Sequence, residues 1–184
     1  LMEIPRGVEE LSEAERIAHV LVGANEREKH EGLVYWQAAE KLLTASFLYV
    51  LHYEKRKSLP GTRTLLTNPA RNRRELLGGM ASCGHKQIRE IARELLSMSD
   101  GVVGGAFTTA LNVLAFCADP LIADMLDRSD FVASDLNQLD TPLSVYLSIP
   151  ERHMTRLNAL ARLLTNTLVS GVCKSLKHSQ NVLF

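Results

Sequence analysis

From residue 33 to residue 53 almost every position is apolar; Gln37, Glu40 and Lys41 are the only charged or amide side chains before His52. A helix apolar on nearly every face must be enclosed by others, so this stretch is expected to be the hub of a helical domain, with Trp36, Leu43, Phe47 and Val50 inside. Its length approaches a membrane span, but Gln37, Glu40 and Lys41 are costly in lipid, which argues for a buried helix. Upstream, Ser12-Glu13-Ala14-Glu15 has the spacing of a capping box and predicts a helix from about residue 12 to 22. Downstream, Leu59-Pro60-Gly61, Asn68-Pro69 and Asp119-Pro120 punctuate the chain. The last two place a cap before a proline at the first helical position, and a short helix is expected after each of the three. Ile88, Ile91, Ala92, Leu95 and Leu96 recur at helical spacing over 87–98, and a further amphipathic helix is expected over about 105–116.

The texture changes after Asp140. Leu143, Val145, Leu147 and Ile149 alternate with Ser144, Tyr146 and Ser148, a period of two that predicts a strand. Pro150 opens a long helix with Met154, Leu157, Leu160, Ala161, Leu164 and Leu168 on one stripe, and Asn181-Val182-Leu183-Phe184 begins another apolar run. A strand–helix–strand crossover of this length implies parallel pairing. Two parallel strands alone cannot bury both faces, so the rest of that sheet is expected outside this chain. The expected fold class is therefore mainly α: a compact multi-helix all-α domain over 12–136, then a truncated strand–helix–strand piece of an α/β domain over 137–184. Leu1 in place of methionine also fits a piece of a longer protein.

Composition changes this picture little. Hydrophobic residues make up 46% and charged residues 23% of the 184, ordinary globular usage that excludes disordered and fibrous classes. Lys+Arg and Asp+Glu balance at 21 each, so net charge gives no argument for nucleic acid or membrane binding. The distribution is less even: residues 61–97 carry seven basic and three acidic side chains, and residues 98–140 one basic and seven acidic. Solvated helix faces that neutralise each other in the fold are the commoner cause of such alternation. Cys83, Cys117 and Cys173 are odd in number and far apart, which suits thiols in a reducing, cytoplasmic compartment. The start has no basic stretch leading into an apolar run, so no signal peptide is expected.

Candidate chemistry is sparse. Gly79-Met80-Ala81-Ser82-Cys83-Gly84-His85-Lys86 approaches a phosphate loop. However, His85 stands where the lysine belongs, Gln87 is no magnesium ligand, and no strand pattern precedes it; a helix-to-helix turn is expected instead. Cys83 and His85 lack a second pair at zinc spacing. His19 and His52 lie within helical patterns and read as satisfied or half-buried, and no Gly-x-Ser-x-Gly occurs. Asp119, Asp124, Asp127, Asp130, Asp135 and Asp140 read mostly as helix caps and first-turn charges rather than a metal cluster. No catalytic residue and no metal ligand is therefore expected. Two short basic clusters remain, Lys55-Arg56-Lys57 and Arg71, Arg73 and Arg74. The second lies at a helix start, where the dipole disfavours cations and the cluster asks for a partner.

Tyr35-Trp36 with Ala39, Leu42-Leu43 and Val50-Leu51 resembles the tryptophan helix of TraG-like type IV secretion coupling proteins. Ala92-Arg93-Glu94-Leu95-Leu96, Ser129-Asp130-Phe131, Ser134-Asp135-Leu136 and Pro142-Leu143-Ser144-Val145-Tyr146-Leu147 through Pro150 are similar to the same family in the same order. The likeness runs on through Arg162-Leu163-Leu164-Thr165-Asn166. In that family an inner-membrane anchor precedes a RecA-like motor domain, into which an all-α domain is inserted between the phosphate loop and the acidic strand. The resemblance thus implies that residues 12–136 are the all-α insertion and residues 137–184 part of the RecA-like domain. It implies substrate docking for a hexameric ATPase that contacts the secretion channel, with relaxase or relaxosome proteins, effector substrates and single-stranded DNA as partners. It also implies that the chain is not itself an enzyme, ATP and magnesium belonging to the parent alone. Lys55, Arg56, Lys57, Arg71, Arg73 and Arg74 are the candidate docking residues. A free-standing helical DNA-binding module and a structural helical domain without ligand are the rival readings.

Overall fold

The computed structural model describes residues 4, 6–23, 33–128 and 144–175. Its elements are helices α1 (Glu10–Val22), α2 (Leu33–Tyr53), α3 (Leu59–Leu66), α4 (Arg73–Ala81), α5 (Lys86–Ser97), α6 (Asp100–Val113), α7 (Pro120–Leu126) and α8 (Met154–Ser175). Short 3-10 turns span Ala115–Ala118 and Glu151–His153. Among the described residues no helix is long and apolar enough to cross a membrane.

The hub expected from the sequence is α2. Eleven of its 21 residues are buried, among them Leu42, Leu43, Phe47, Leu48 and Val50. Helices α1, α5, α6 and α3 pack around it, so its apolar faces are covered in turn. Trp36 is only half-buried and lies against this core. Polar contacts rim the packing: His19 Nδ1 hydrogen-bonds Glu40 Oε1 at 3.0 Å, and Lys41 forms an ion pair with Glu94 of α5.

Local signals set the helix starts, with three corrections. Helix α1 begins at Glu10, and Ser12 is no cap; its hydroxyl donates to the Glu9 carbonyl at 2.9 Å. Gly7, at φ 118°, turns the chain into this start, a conformation that costs glycine little. The cap after Asn68-Pro69 is Asn72, not Asn68: Asn72 and Glu75 form a full capping box at α4. Helix α6 starts at Asp100 behind a Ser99 cap, earlier than the apolar spacing suggested. Asp119 caps α7 as expected, accepting from the Leu121 amide at 3.0 Å. The segment from Ala81 to Lys86 joins α4 to α5 and is a helix-to-helix turn.

The expected strand–helix–strand piece is not seen. Residues 144–150 take no regular secondary structure, and no strand occurs among the described residues. A strand needs a neighbour to complete its backbone hydrogen bonds. The second apolar run, 181–184, lies outside the described residues, as does the boundary at 136/137. Val145, Tyr146 and Leu147 stay exposed, Tyr146 at 90%. Helix α8 instead buries Leu157, Leu160 and Leu163 in the common core and packs on α1. Arg162 of α8 donates to the Gly23 carbonyl at 2.8 Å, satisfying a group at the end of α1, and Arg16 of α1 hydrogen-bonds Asn166.

Of the three free cysteines, Cys117 is buried beside the turn before α7, and burial pushes its thiol up to about 12. Cys173 is exposed and Cys83 half-buried.

Phe47 is fully buried in the middle of α2. Phe47→Ala is expected to cost about 3–5 kcal/mol and to lower the melting temperature sharply in calorimetry; an unchanged melt would show that α2 is not the hub. Gly61 is constrained from the other direction, since a Cβ there would lie 2.0 Å from the Arg56 carbonyl oxygen. Gly61→Ala must displace that backbone and is expected to cost about 1–3 kcal/mol, measured by urea unfolding.

Candidate functional site

Of the six basic side chains singled out by sequence, Lys55, Arg56 and Lys57 fall on the α2–α3 loop, Arg71 lies just before α4, and Arg73 and Arg74 open that helix. They divide sharply in what they touch.

Arg56 faces Asp127, just past the end of α7. Its Nε donates to both carboxylate oxygens at 2.8 and 3.0 Å, and a terminal guanidinium nitrogen donates at 2.5 Å. The Ser58 hydroxyl donates to the same carboxylate at 2.5 Å while accepting from the Gly61 amide at 3.2 Å, so the cap of α3 is tied into the pair. The fork geometry of arginine suits such a contact. The Arg56 guanidinium holds the Asp127 carboxyl below its ordinary value of 3.8, Ser58 acting the same way and burial opposing.

Arg73 and Arg74 are also engaged. Arg73 lies over the Phe107 ring of α6, 5.7 Å from its centroid. Arg74 Nε donates to Asp100 at 2.7 Å, and Asp100 opens α6, where an acid also complements the helix dipole. The partner that an arginine at a helix start asks for comes from the acidic stretch that follows in sequence.

Lys55, Lys57 and Arg71 are different. All three are exposed, and none of their side chains has a hydrogen bond or ion pair with a described residue. The other described acids of the stretch over 98–140 are engaged: Asp119 caps α7 and accepts from Arg156 at 2.9 Å, which lowers its carboxyl, and Asp124 pairs with Arg128 one turn on. Asp130, Asp135 and Asp140 lie outside the described residues.

A second cluster was not legible as a group. Glu10, at the start of α1, is buried, and its Oε1 accepts from His52 near the end of α2. His85, the residue before α5, places its Nε2 3.6 Å from the same oxygen. Burial pushes the His85 imidazole below its ordinary value of 6.5; His52 pushes the same way and Glu10 opposes. The residues are far apart in sequence and form no local motif. Their one shared trait is a position at a helix end.

The Arg56–Asp127 contact has a pH signature. A carboxyl whose folded value lies below its unfolded value contributes stability above about 3.8, and that contribution fades as pH falls through the folded value. Both side chains are partly exposed, so Asp127→Asn is expected to cost only about 1 kcal/mol at pH 7. The difference from the parent chain should shrink below pH 4 in denaturant titrations, whereas a pH-independent difference would assign the contact another role.

A sequence model of the family described as "Type IV secretory system Conjugative DNA transfer" matches residues 1–182. Two curated relatives from Escherichia coli, each named "Conjugal transfer protein TraG", are 30% and 27% identical over 182 and 183 residues. Each alignment covers 92% of this chain and 28% of the relative, so the chain spans little more than a quarter of their length. No solved structure matches the chain. The match over nearly the whole chain makes this a member of the TraG-type conjugative DNA transfer family of type IV secretion systems.

Proposed function

We propose that the helical domain is a docking platform of a conjugative coupling protein. It receives a relaxase or its relaxosome, with the attached single-stranded DNA, or an effector protein, for a hexameric motor at the secretion channel. The domain docks cargo and does no more; the chemistry, with ATP and magnesium, belongs to the motor. The domain works at the cytoplasmic face, and the parent is anchored in the inner membrane.

One observation supports this reading most directly. Of six clustered cations, Arg56, Arg73 and Arg74 are engaged within the fold, while Lys55, Lys57 and Arg71 are exposed without a described partner. Cations that take no part in the fold are available to phosphates or to an acidic tail on the cargo.

Two triple variants separate folding from docking. Lys55→Ala, Lys57→Ala and Arg71→Ala together are expected to leave the melting temperature within a few degrees while weakening relaxase or single-stranded DNA binding about tenfold or more, with a shallower salt dependence. Arg56→Ala, Arg73→Ala and Arg74→Ala together are expected to lower stability by about 1–3 kcal/mol. Unchanged cargo binding in the first variant would move the docking surface elsewhere. Tight, strongly salt-dependent DNA binding without any cargo protein would instead favour an autonomous DNA-binding module.

A further inference from the structure

Glu10 of α1, His52 of α2 and His85, the residue that precedes α5, bring three metal-ligating side chains together. One ligand atom from each lies within 4.8 Å of the other two. The Glu10 carboxylate is held in place: Oε2 accepts from the Gly7 amide at 3.3 Å, while Oε1 faces both imidazoles. The two rings lie face to face at a tilt, with centroids 4.5 Å apart and planes at 41°. The other ring nitrogen of His85, Nδ1, is buried and has no hydrogen-bond partner among the described residues, so no second contact fixes that ring.

We propose that Glu10, His52 and His85 form a binding site for a zinc-type divalent transition-metal ion. Two imidazoles and a carboxylate are a donor set suited to such an ion, with solvent completing a four-coordinate shell. Ligand atoms around a tetrahedral zinc stand about 3.4 Å apart, which follows from metal–ligand distances of about 2.0–2.2 Å. The 3.6 Å separation of His85 Nε2 from Glu10 Oε1 is already near that value. The direct His52–Glu10 hydrogen bond is much closer than that, so the His52 ring would have to move back by about 1 Å, with Nε2 giving up its proton, to admit the ion. The Gly7 amide then fills the outer-shell role of orienting the ligating carboxylate. Cys83, close in sequence, is not part of the group; its thiol donates to the His85 carbonyl oxygen at 3.7 Å. The ion would fasten the start of α1, the end of α2 and the start of α5 at one point.

Cobalt(II) is the probe, because four-coordinate cobalt with nitrogen ligands has intense visible bands that the hexaaqua ion lacks. The full 184-residue chain, stripped with chelator, is expected to bind one equivalent with those bands, and zinc should displace it. The His52→Gln/His85→Gln pair and Glu10→Gln should each weaken binding by more than the roughly 10- to 100-fold that losing an outer-shell partner costs. His19→Gln, at an exposed histidine paired with Glu40, should leave binding unchanged. Zinc should also raise the melting temperature of the parent chain but not of the double variant. Failure of the parent chain to bind one equivalent overturns the proposal without recourse to any variant. So does a folded double variant, by circular dichroism, that keeps the parent's cobalt affinity.

Discussion

The whole arrangement depends on the need to cover one helix on every side. Helix α2 has no continuous polar face along its middle, and Ala39, Leu42, Leu43, Ala45, Phe47, Leu48 and Val50 lose all contact with solvent. Each of those side chains gains on the order of 1–3 kcal/mol from leaving water, more for the larger ones, and the gain is realised only if partners stand all round. Helices α1, α5, α6 and α3 are those partners. The buried residues of α1, α5 and α6 fall on one side, as those of an outer layer should, while the short α3 buries six of its eight residues. The chain leaves this layer at the ends of the helices, and there it carries its polar groups: Glu10, His52 and His85 at one set of ends, Lys55 to Lys57 just beyond, and Arg71 to Arg74 at another.

Charge follows the same plan. The described acids of the stretch over 98–140 are met by arginines from three parts of the chain: Arg74 of the basic stretch pairs with Asp100, whereas Arg56 before it pairs with Asp127 and Arg156 beyond it with Asp119. Exposed pairs like these add little stability singly. Their effect lies in register: Arg56, Ser58 and Asp127 fix where α7 sits against α3, and Arg74 with Asp100 fixes α4 against α6.

The helical part of the fold was legible because its signals are local. The apolar run of α2, the spacing of Ile88, Ala92 and Leu95, and the Asp119-Pro120 start all turn on neighbours within a few residues. Asn68 lost to a rival cap nearby, Asn72, whereas α1 starts at Glu10 with no side-chain cap at all, so no local rival displaced Ser12. The strand over 143–149 failed for another reason: alternation reports a tendency, and only a neighbouring strand makes it real. At the basic clusters, residue type was readable but commitment was not. Nothing near Arg56 in sequence foretells Asp127, which is 71 residues away. The same holds for Glu10, His52 and His85, which only tertiary packing brings together.

The burial of Cys117 has a practical consequence. With its thiol pushed up to about 12, only about one part in 10⁵ is thiolate at pH 7, and the side chain is 6% exposed. An alkylating dye therefore meets it only when the turn ahead of α7 swings open, while the exposed Cys173 reacts in the closed state. The slow component of labelling then times the breathing of that corner of the molecule, using a clock the chain already carries.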